Sequence, residues 1–164
     1  MTGLGEKLRN KIRDKEARIG IIGMGYVGIP LGLEFANNGF NVLGFDKDKK
    51  RIDAINEGKQ VMKHIKQKDM ANFVANNGSA TNDISNLNGI DCLIICVPTP
   101  LDVHEQPDMS YVEAASNDIS KNMKKGQLIV LESTTYPGTT REIVKPILEK
   151  SGLIAGEDFF LAYS

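Results

Sequence analysis

A glycine-rich turn between an apolar run and a helix-forming segment is the feature that most restricts the fold of this chain. The turn Gly23-Met24-Gly25-Tyr26-Val27-Gly28 directly follows the apolar run Ile19-Gly20-Ile21-Ile22, and Asp46 comes 18 residues after Gly28. Glycine can turn sharply off a strand, lets a ligand approach the backbone, and allows a helix to pack closely on a strand. The order of strand, glycine turn, helix and acidic residue is therefore typical of a dinucleotide site.

Each residue of this turn has an expected role toward a pyrophosphate. Gly23 makes the turn, Gly25 leaves the backbone N–H groups accessible, and Gly28 brings the helix close to the strand. The helix N-terminus then directs N–H groups and the positive end of its dipole at the phosphates. Tyr26 and Val27 lie within the turn, so we include them among the expected coenzyme contacts.

Asp46 ends the second predicted strand, where a carboxylate accepts hydrogen bonds from the adenosine ribose hydroxyls. Because a 2′-phosphate would be repelled there, we expect NAD rather than NADP. Arg51 lies in the first turns of the next helix and can face the adenosine side. We interpret Lys47, Lys49 and Lys50 as a solvated helix face, although their charge leaves some NADP binding open.

Length and composition favour one globular unit. The 164 residues are 41% apolar and 25% charged, with a net charge of −1, which suffices for one core and indicates neither a nucleic-acid nor a membrane partner. The apolar runs are shorter than the roughly 18 residues needed to cross a bilayer, and the first residues show no signal-peptide pattern. We therefore expect a cytoplasmic protein.

The apolar pattern predicts an α/β fold. Residues 1–17 carry Leu4, Leu8 and Ile12 at helical spacing, which predicts an amphipathic helix beside a main domain of residues 18–164. Strands are predicted over residues 18–22, 41–45, 80–82, 91–97, 127–131 and 159–162, and helices over about 26–38, 48–57, 69–77, 110–125 and 139–150. This alternation predicts a single domain with a doubly wound parallel sheet, the Rossmann fold.

Two helices of this domain begin with patterns typical of a capping box. Ser110 precedes Glu113 by three residues, and Thr139 precedes Glu142 in the same way, so each hydroxyl is expected to cap its helix. Asp108 is a further candidate to start the first of these helices. Pro146 is expected to kink the second.

Ligands of a doubly wound sheet bind beyond the carboxyl ends of the strands. This rule places the glycine turn, Asp46, the segment Val97-Pro98-Thr99-Pro100 and residues 131–138 along one edge. We therefore expect Val97 and Pro98 to line the coenzyme site. The Thr99 hydroxyl is either held toward the dinucleotide or belongs to an ordinary rigid turn.

Hydroxyl side chains also follow the fifth predicted strand. Those of Ser133, Thr134 and Thr135 either contact the nicotinamide end of the coenzyme or satisfy backbone groups of their own loop. The residues alone do not decide between these two interpretations.

The cysteines and histidines are not expected to carry chemistry. Cys92 and Cys96 fall in one apolar strand, where four residues span about 13 Å, too far for a disulfide. We interpret both as small core residues. His64 and His104 lie in polar segments without ligand-like neighbours, so we expect no metal site.

Five motifs together resemble those of the nucleotide-sugar 6-dehydrogenases, the UDP-glucose/GDP-mannose dehydrogenase family. They lie at residues 23–28, 97–101, 106–112, 132–140 and 156–164. The resemblance covers nearly the whole chain, and the fourth motif is most similar to UDP-N-acetylglucosamine-type members. It implies an enzyme that oxidises the C6 alcohol of a UDP-sugar to a carboxylate with two NAD, through a cysteine-bound thioester.

Residue-wise matching to this family implies roles for individual side chains. Val27 and the glycines would hold the pyrophosphate, Asp46 and Arg51 the adenosine ribose, and Thr99 and Thr134 the nicotinamide side. Thr134 would also lie near the reacting centre, which makes it the catalytic candidate.

The family's catalytic cysteine, lysine and asparagine lie beyond the matched stretch. We therefore expect the cofactor domain of a larger, homo-oligomeric enzyme, which binds NAD but does not turn over a nucleotide sugar alone. A UDP-N-acetylmannosamine dehydrogenase, a related hydroxyacid or phosphogluconate dehydrogenase, and a free-standing NAD(H)-sensing module are the alternatives.

Overall fold

A computed structural model describes residues 3–101 and 105–164 of the chain. His104, which is expected to bind no metal, lies outside these residues. Among the described residues, none of the helices combines the length and the apolar character that crossing a membrane requires.

Six strands of the described chain form one parallel sheet. They are Arg18–Ile22 (β1), Asn41–Phe45 (β2), Ser79–Thr81 (β3), Cys92–Ile95 (β4), Leu128–Leu131 (β5) and Phe160–Tyr163 (β6). Their spatial order is β3-β2-β1-β4-β5-β6, with every neighbouring pair parallel. The chain thus winds outward in both directions from β1 and β4, and a crevice opens between these two strands at their carboxyl ends. The prediction of a doubly wound parallel sheet is confirmed.

Helices connect the strands. They are Gly3–Arg13 (α1), Gly28–Asn37 (α2), Lys49–Asn56 (α3), Gln67–Ala75 (α4), Ser110–Asn122 (α5) and Lys145–Glu149 (α6), with a 3₁₀ helix over Ile84–Gly89 and a π-helical turn over Thr140–Val144. Glycine marks two of the helix ends as expected: Gly39 follows α2 with φ +87° and Gly58 follows α3 with φ +64°. A left-handed residue of this kind satisfies the last carbonyl groups of a helix.

The sheet is buried on both faces, and each face has its own core. On one face, Ile21 and Ile94 pack with Ile29 and Leu33 of α2. The alternate strand residues, such as Ile95, point to the other face and pack with α5 and α6. Strands covered on both sides need an apolar residue at nearly every position, which is why their runs are so clear in the sequence.

Helix α1 is attached to the amino edge of the sheet, opposite the crevice. Its Leu8 is buried and Ile12 is exposed, so the apolar stripe packs over only part of its length. Lys11 Nζ donates to Asp91 Oδ1 at 2.7 Å, and the Arg18 N–H donates to Asp91 Oδ2 at 2.9 Å. Because Asp91 directly precedes β4, these bonds link α1 to two central strands.

Both capping-box predictions are wrong. Asp108 Oδ1 accepts a hydrogen bond from the Ser110 N–H at 2.9 Å, and Ser110 itself is already helical. Because the Asp108 carboxylate already accepts a hydrogen bond at the start of α5, the Ser110 hydroxyl is not needed as a cap. Thr139 likewise donates its hydroxyl to the Tyr136 carbonyl at 2.8 Å within the preceding turn and caps no N–H group.

The last helical segment changes type close to Pro146. Its π-helical turn over Thr140–Val144 passes into α6 at Lys145. Proline cannot donate to the carbonyl four residues earlier, and a π-turn is one of the ways in which a helix accommodates such a missing bond. The irregularity expected at Pro146 therefore takes the form of a π-to-α junction.

Gln127 is a buried polar side chain that ties three segments together at the amino edge. Its Nε2 donates to the carbonyls of Leu87 at 2.9 Å and Ile90 at 2.7 Å, and its Oε1 accepts from the Lys124 N–H at 2.8 Å. The side chain joins β5 to the 3₁₀ helix and so stabilises the approach to β4.

We expect Gln127→Leu to lower the free energy of unfolding by about 2 kcal/mol, because it leaves the buried Ile90 carbonyl without its donor, whereas the Leu87 carbonyl keeps the Ile90 N–H. Urea denaturation followed by circular dichroism measures the change. Asn72→Leu removes an exposed amide from α4 and serves as the control. Equal stability of the two variants would contradict this account of Gln127.

Candidate functional site

A cavity of about 660 Å³ opens at the carboxyl edge of the sheet. Its lining includes the residues that strand ends and glycine turns were expected to bring together: Gly23, Gly25, Tyr26, Val27, Asp46, Arg51, Val97, Pro98, Thr99, Ser133 and Thr134. Gly28 lies directly behind this surface, at the start of α2. The fold therefore assembles the predicted site from four separate segments.

Strand register explains how these segments meet. Phe45, Ile22, Ile95 and Leu131 pair across β2, β1, β4 and β5 as the last residue of each strand. The next residues, Asp46, Gly23, Cys96 and Glu132, consequently form a row just beyond the sheet, and all four line the cavity.

Two glycines of the turn are required by close packing. Gly23 has φ +97°, and a Cβ there would come to 2.8 Å from the Cys96 carbonyl oxygen. A Cβ on Gly28 would overlap the Gly23 carbonyl oxygen. These two positions allow α2 to start directly against β1 and β4, as the sequence predicts.

Gly25 differs from its neighbours because it faces open space. A Cβ added there would meet no atom within 4 Å, although the residue lines the cavity. The adjacent start of α2 has no side-chain cap at Val27, and the first N–H groups of a helix have no intrahelical acceptor. This is the geometry that a pyrophosphate needs.

The side chain of Met24 holds the glycine turn in place. It is 1% exposed and packs over Gly44 of β2, where a Cβ would come to 2.5 Å from the Met24 Sδ. The turn is thus anchored in the core by one of its own residues.

Asp46 links the glycine turn to the following helix. Its Oδ2 accepts from the Met24 N–H at 3.0 Å and from Arg51 Nη1 at 2.9 Å. Its Oδ1 accepts from the Asp48 N–H at 2.9 Å. The Asp46 side chain is 10% exposed and that of Arg51 36% exposed, so the pair lies at the cavity wall with Arg51 outermost.

The loops after β4 and β5 are joined by side-chain hydroxyls. Thr99 Oγ1 donates to the Thr134 carbonyl at 2.7 Å, and Ser133 Oγ donates to the Val97 carbonyl at 2.8 Å. The Ser133 hydroxyl therefore satisfies backbone groups, one of the two interpretations left open. The Thr134 side chain is exposed and lines the cavity, where its hydroxyl can meet a ligand.

Tyr26 projects from the glycine turn and is 79% exposed. Its ring stacks on that of His64, with centroids 5.5 Å apart and planes inclined by 12°. The connection between α3 and α4 thus reaches the carboxyl edge beside the turn. Within residues 3–101 and 105–164, no three His, Cys, Asp or Glu side chains are grouped so as to hold a metal ion.

Several lining residues were missed by sequence reasoning. They are Lys47, Asn82, Ile84, Tyr111, Ala114, Ala115 and Asp118. Asn82 directly follows β3, so the rule of strand ends could have found it, as it found the segment of residues 131–138 that contains Glu132. The residues of α5 reach the cavity only through tertiary packing, and no local pattern signals that.

Both thiols are protected from ionisation. Burial raises the pKa of the Cys92 thiol to about 12, with a smaller contribution from Asp91. Burial likewise raises the pKa of Cys96 to about 12, assisted by the negative charge of Glu132. Neither cysteine forms a disulfide, which agrees with their interpretation as core residues.

A parallel sheet in this order, with a glycine turn and a carboxylate at its central crevice, defines a dinucleotide-binding domain. The particular family follows from the comparison with known sequences. The family model "UDP-glucose/GDP-mannose dehydrogenase family, NAD binding domain" matches residues 17–164. The chain belongs to this family, and its coenzyme is NAD.

Individual relatives agree with this assignment. The chain is 39% identical over 151 residues to UDP-N-acetyl-D-glucosamine 6-dehydrogenase of Pseudomonas aeruginosa, covering 92% of this chain and 35% of that protein. It is 35% identical over 152 residues to UDP-N-acetyl-D-mannosamine dehydrogenase of Pyrococcus horikoshii, covering 90% of this chain and 35% of the relative.

Solved structures show the same likeness. The NDP-N-acetyl-D-galactosaminuronic acid dehydrogenase of Methanosarcina mazei Go1 superposes with a TM-score of 0.86 at 37% identity, covering 99% of this chain and 37% of that chain. The chain thus spans about a third of the length of these relatives.

The glycines of the turn provide a test of the site. We expect Gly25→Val to fold normally but to lose NAD binding, because its side chain would occupy the open space that the pyrophosphate needs. Gly28→Val should instead unfold the domain, since its Cβ would overlap a backbone carbonyl. Circular dichroism reports folding and calorimetric titration reports binding; NAD binding by a folded Gly25→Val protein would refute the assignment.

Proposed function

We propose that this chain is the NAD-binding part of a nucleotide-sugar 6-dehydrogenase that oxidises the C6 alcohol of a UDP-sugar to the carboxylate with two NAD. UDP-N-acetylglucosamine or UDP-glucose is the proposed substrate, with UDP-N-acetylmannosamine as the alternative. The names of the relatives support an N-acetylated hexose. We expect the whole enzyme to be a cytoplasmic homo-oligomer.

The observation that carries the proposal is the contact between Asp46 and the glycine turn. One carboxylate oxygen of Asp46 accepts a hydrogen bond from the Met24 N–H. The Asp46 side chain therefore fixes the position of the glycine turn and lies directly after β2. A ribose bound beside β2 would find acceptors for its hydroxyls at Asp46. Arg51, paired with this carboxylate, would then lie along the ribose edge.

The remaining contacts follow from the order of the strands. The pyrophosphate would lie on the turn at Gly23 and Gly25, with Tyr26 and Val27 beside it, while Gly28 behind them keeps the start of α2 close enough to hold it. The adenine would lie toward α5, where Tyr111, Ala114 and Ala115 line the cavity.

The nicotinamide would reach the loops after β4 and β5. Val97, Pro98, Thr99 and Ser133 form the wall there. The exposed Thr134 hydroxyl would lie near the carbon that gives up its hydride, which makes Thr134 the proposed catalytic residue of this segment.

Covalent catalysis of the second oxidation requires an ionised thiol. The sequence holds two cysteines, and both are buried with pKa values raised to about 12. We therefore propose that this 164-residue polypeptide binds NAD without oxidising a nucleotide sugar by itself.

Asp46→Ala tests the proposed ribose contact. We expect it to weaken NAD⁺ binding roughly 10- to 100-fold, the value of one or two hydrogen bonds to a charged group, in calorimetric titrations. NADP⁺ should bind the wild type far more weakly than NAD⁺, because its 2′-phosphate would approach the Asp46 carboxylate.

Two comparisons make this test specific. Asp53→Ala removes an exposed carboxylate that pairs with Lys49 on α3 and should leave NAD⁺ binding unchanged. Wild type should prefer NAD⁺ over 2′-deoxy-NAD⁺, whereas Asp46→Ala should not discriminate between them. If Asp46→Ala binds NAD⁺ as tightly as wild type, the ribose assignment is wrong.

The thiols give a test of the proposed inactivity. We expect neither cysteine to react with Ellman's reagent at pH 8 in the folded protein, because their pKa values of about 12 leave almost no thiolate. Both should react after addition of guanidinium chloride. Formation of NADH from NAD⁺ and UDP-N-acetylglucosamine by this polypeptide would refute the proposal.

A further inference from the structure

The charged residues of the cavity are unevenly distributed. Both cationic lining residues, Lys47 and Arg51, follow β2 at the adenosine end. Glu132 follows β5 at the opposite end, and among the described lining residues no cation lies on that side. The adenosine end also carries the Asp46 carboxylate, and Asp118 lies on the α5 wall. What distinguishes the opposite end is a carboxylate with no lining cation beside it.

The position of Glu132 is fixed by the sheet. Its N–H donates to the Ile95 carbonyl at 2.9 Å, which extends the β4–β5 pairing by one residue. Since Leu131 points into the core shared with α5, strand alternation directs Glu132 to the opposite face, which is the face of Cys96 and α2. The negative charge of Glu132 acts on this face, because it contributes to the raised pKa of the Cys96 thiol.

Glu132 and Asp46 lie at matching heights above the sheet. They belong to the same row of residues beyond the strand ends, three strands apart, which corresponds to about 14 Å. An extended dinucleotide holds its two nucleoside halves on opposite sides of the diphosphate bridge, and the coenzyme of such a sheet lies across the carboxyl ends of several strands. A dinucleotide with one ribose at Asp46 would thus bring its other half beside Glu132.

The Glu132 carboxylate has no internal role in the described structure. It is partly buried, and no hydrogen bond or ion pair joins its side chain to another residue of the described ranges. A partly buried carboxylate is screened less by solvent than an exposed one, so without a neighbouring cation it attracts a positive charge that enters its surroundings. The oxidised nicotinamide ring carries such a positive charge.

We propose that Glu132 is a specificity-determining residue that makes this site prefer the oxidised coenzyme over the reduced one. The nicotinamide ring carries a positive charge in NAD⁺ and none in NADH, whereas all other groups of the two forms are the same. The carboxylate therefore attracts only the oxidised ring. This inference rests on the coenzyme placement given under the proposed function.

Such a preference suits a reaction that consumes two coenzyme molecules in succession. After the first hydride transfer, NADH must leave and a second NAD⁺ must enter while the sugar is still half oxidised. Loss of the ring charge on reduction removes the attraction to Glu132. The residue would thereby favour exchange at the step where exchange is needed.

Glu132→Gln tests the proposal because it removes the charge and preserves the size of the side chain. We expect the ratio of the NADH to the NAD⁺ dissociation constant to fall on the order of tenfold, through weaker NAD⁺ binding. Calorimetric titration measures NAD⁺ binding, and the fluorescence of the dihydronicotinamide measures NADH binding. Glu132→Asp, which keeps the charge, should retain most of the preference.

Two controls separate this effect from a general change of charge. Asp118→Asn removes a carboxylate from the α5 wall of the same cavity and should change both dissociation constants by the same factor. Glu157→Gln removes an exposed carboxylate that precedes β6 at the amino edge and should change neither.

Each outcome decides a different point. Equal weakening of NAD⁺ and NADH in Glu132→Gln would overturn the charge preference and indicate ribose contacts instead. Unchanged binding of both forms would overturn any role for Glu132. Absence of binding of either form to the wild type would refute the proposed function itself.

Discussion

The close approach of backbone to backbone at the glycine turn is the constraint on which the rest of the structure depends. Gly23 lies against the Cys96 carbonyl and Gly28 lies against the Gly23 carbonyl, so β1, β4 and the start of α2 converge within one turn of chain. Because side chains cannot fit there, the helix N-terminus comes close to the strand ends. The cavity at the carboxyl edge exists only because these three elements meet so closely.

Features governed by local rules could be predicted from the sequence. The bounds of β1 and β2 agree with the predicted strands, since continuous apolar runs bounded by glycine or charged residues have few alternatives. The sequence assigns the glycine turn and Asp46 to one site because parallel strands present their carboxyl ends at the same edge, and it assigns Arg51 to that site because it lies in the first turns of the next helix. The structure brings these residues together as expected.

Features that depend on competition or on tertiary packing could not be predicted. The hydroxyls of Ser110 and Thr139 match a capping pattern, yet Asp108 and the Tyr136 carbonyl provide the bonds that decide those turns. Asp118 and Tyr111 reach the cavity only because α5 packs into the same core as Ile22 and Phe45, the last residues of β1 and β2. A sequence pattern contains no information about which of several possible partners comes closest.

The burial of Met24 has a consequence for how a coenzyme is received. The turn that would meet the diphosphate cannot swing outward without withdrawing this side chain from its place over Gly44, which would open a void in the core at considerable cost. The burial of Met24 therefore holds the main chain of the turn in the arrangement that would meet a ligand. Coenzyme binding then loses little free energy to the ordering of a flexible loop. Several weak contacts can therefore together give tight binding of the coenzyme.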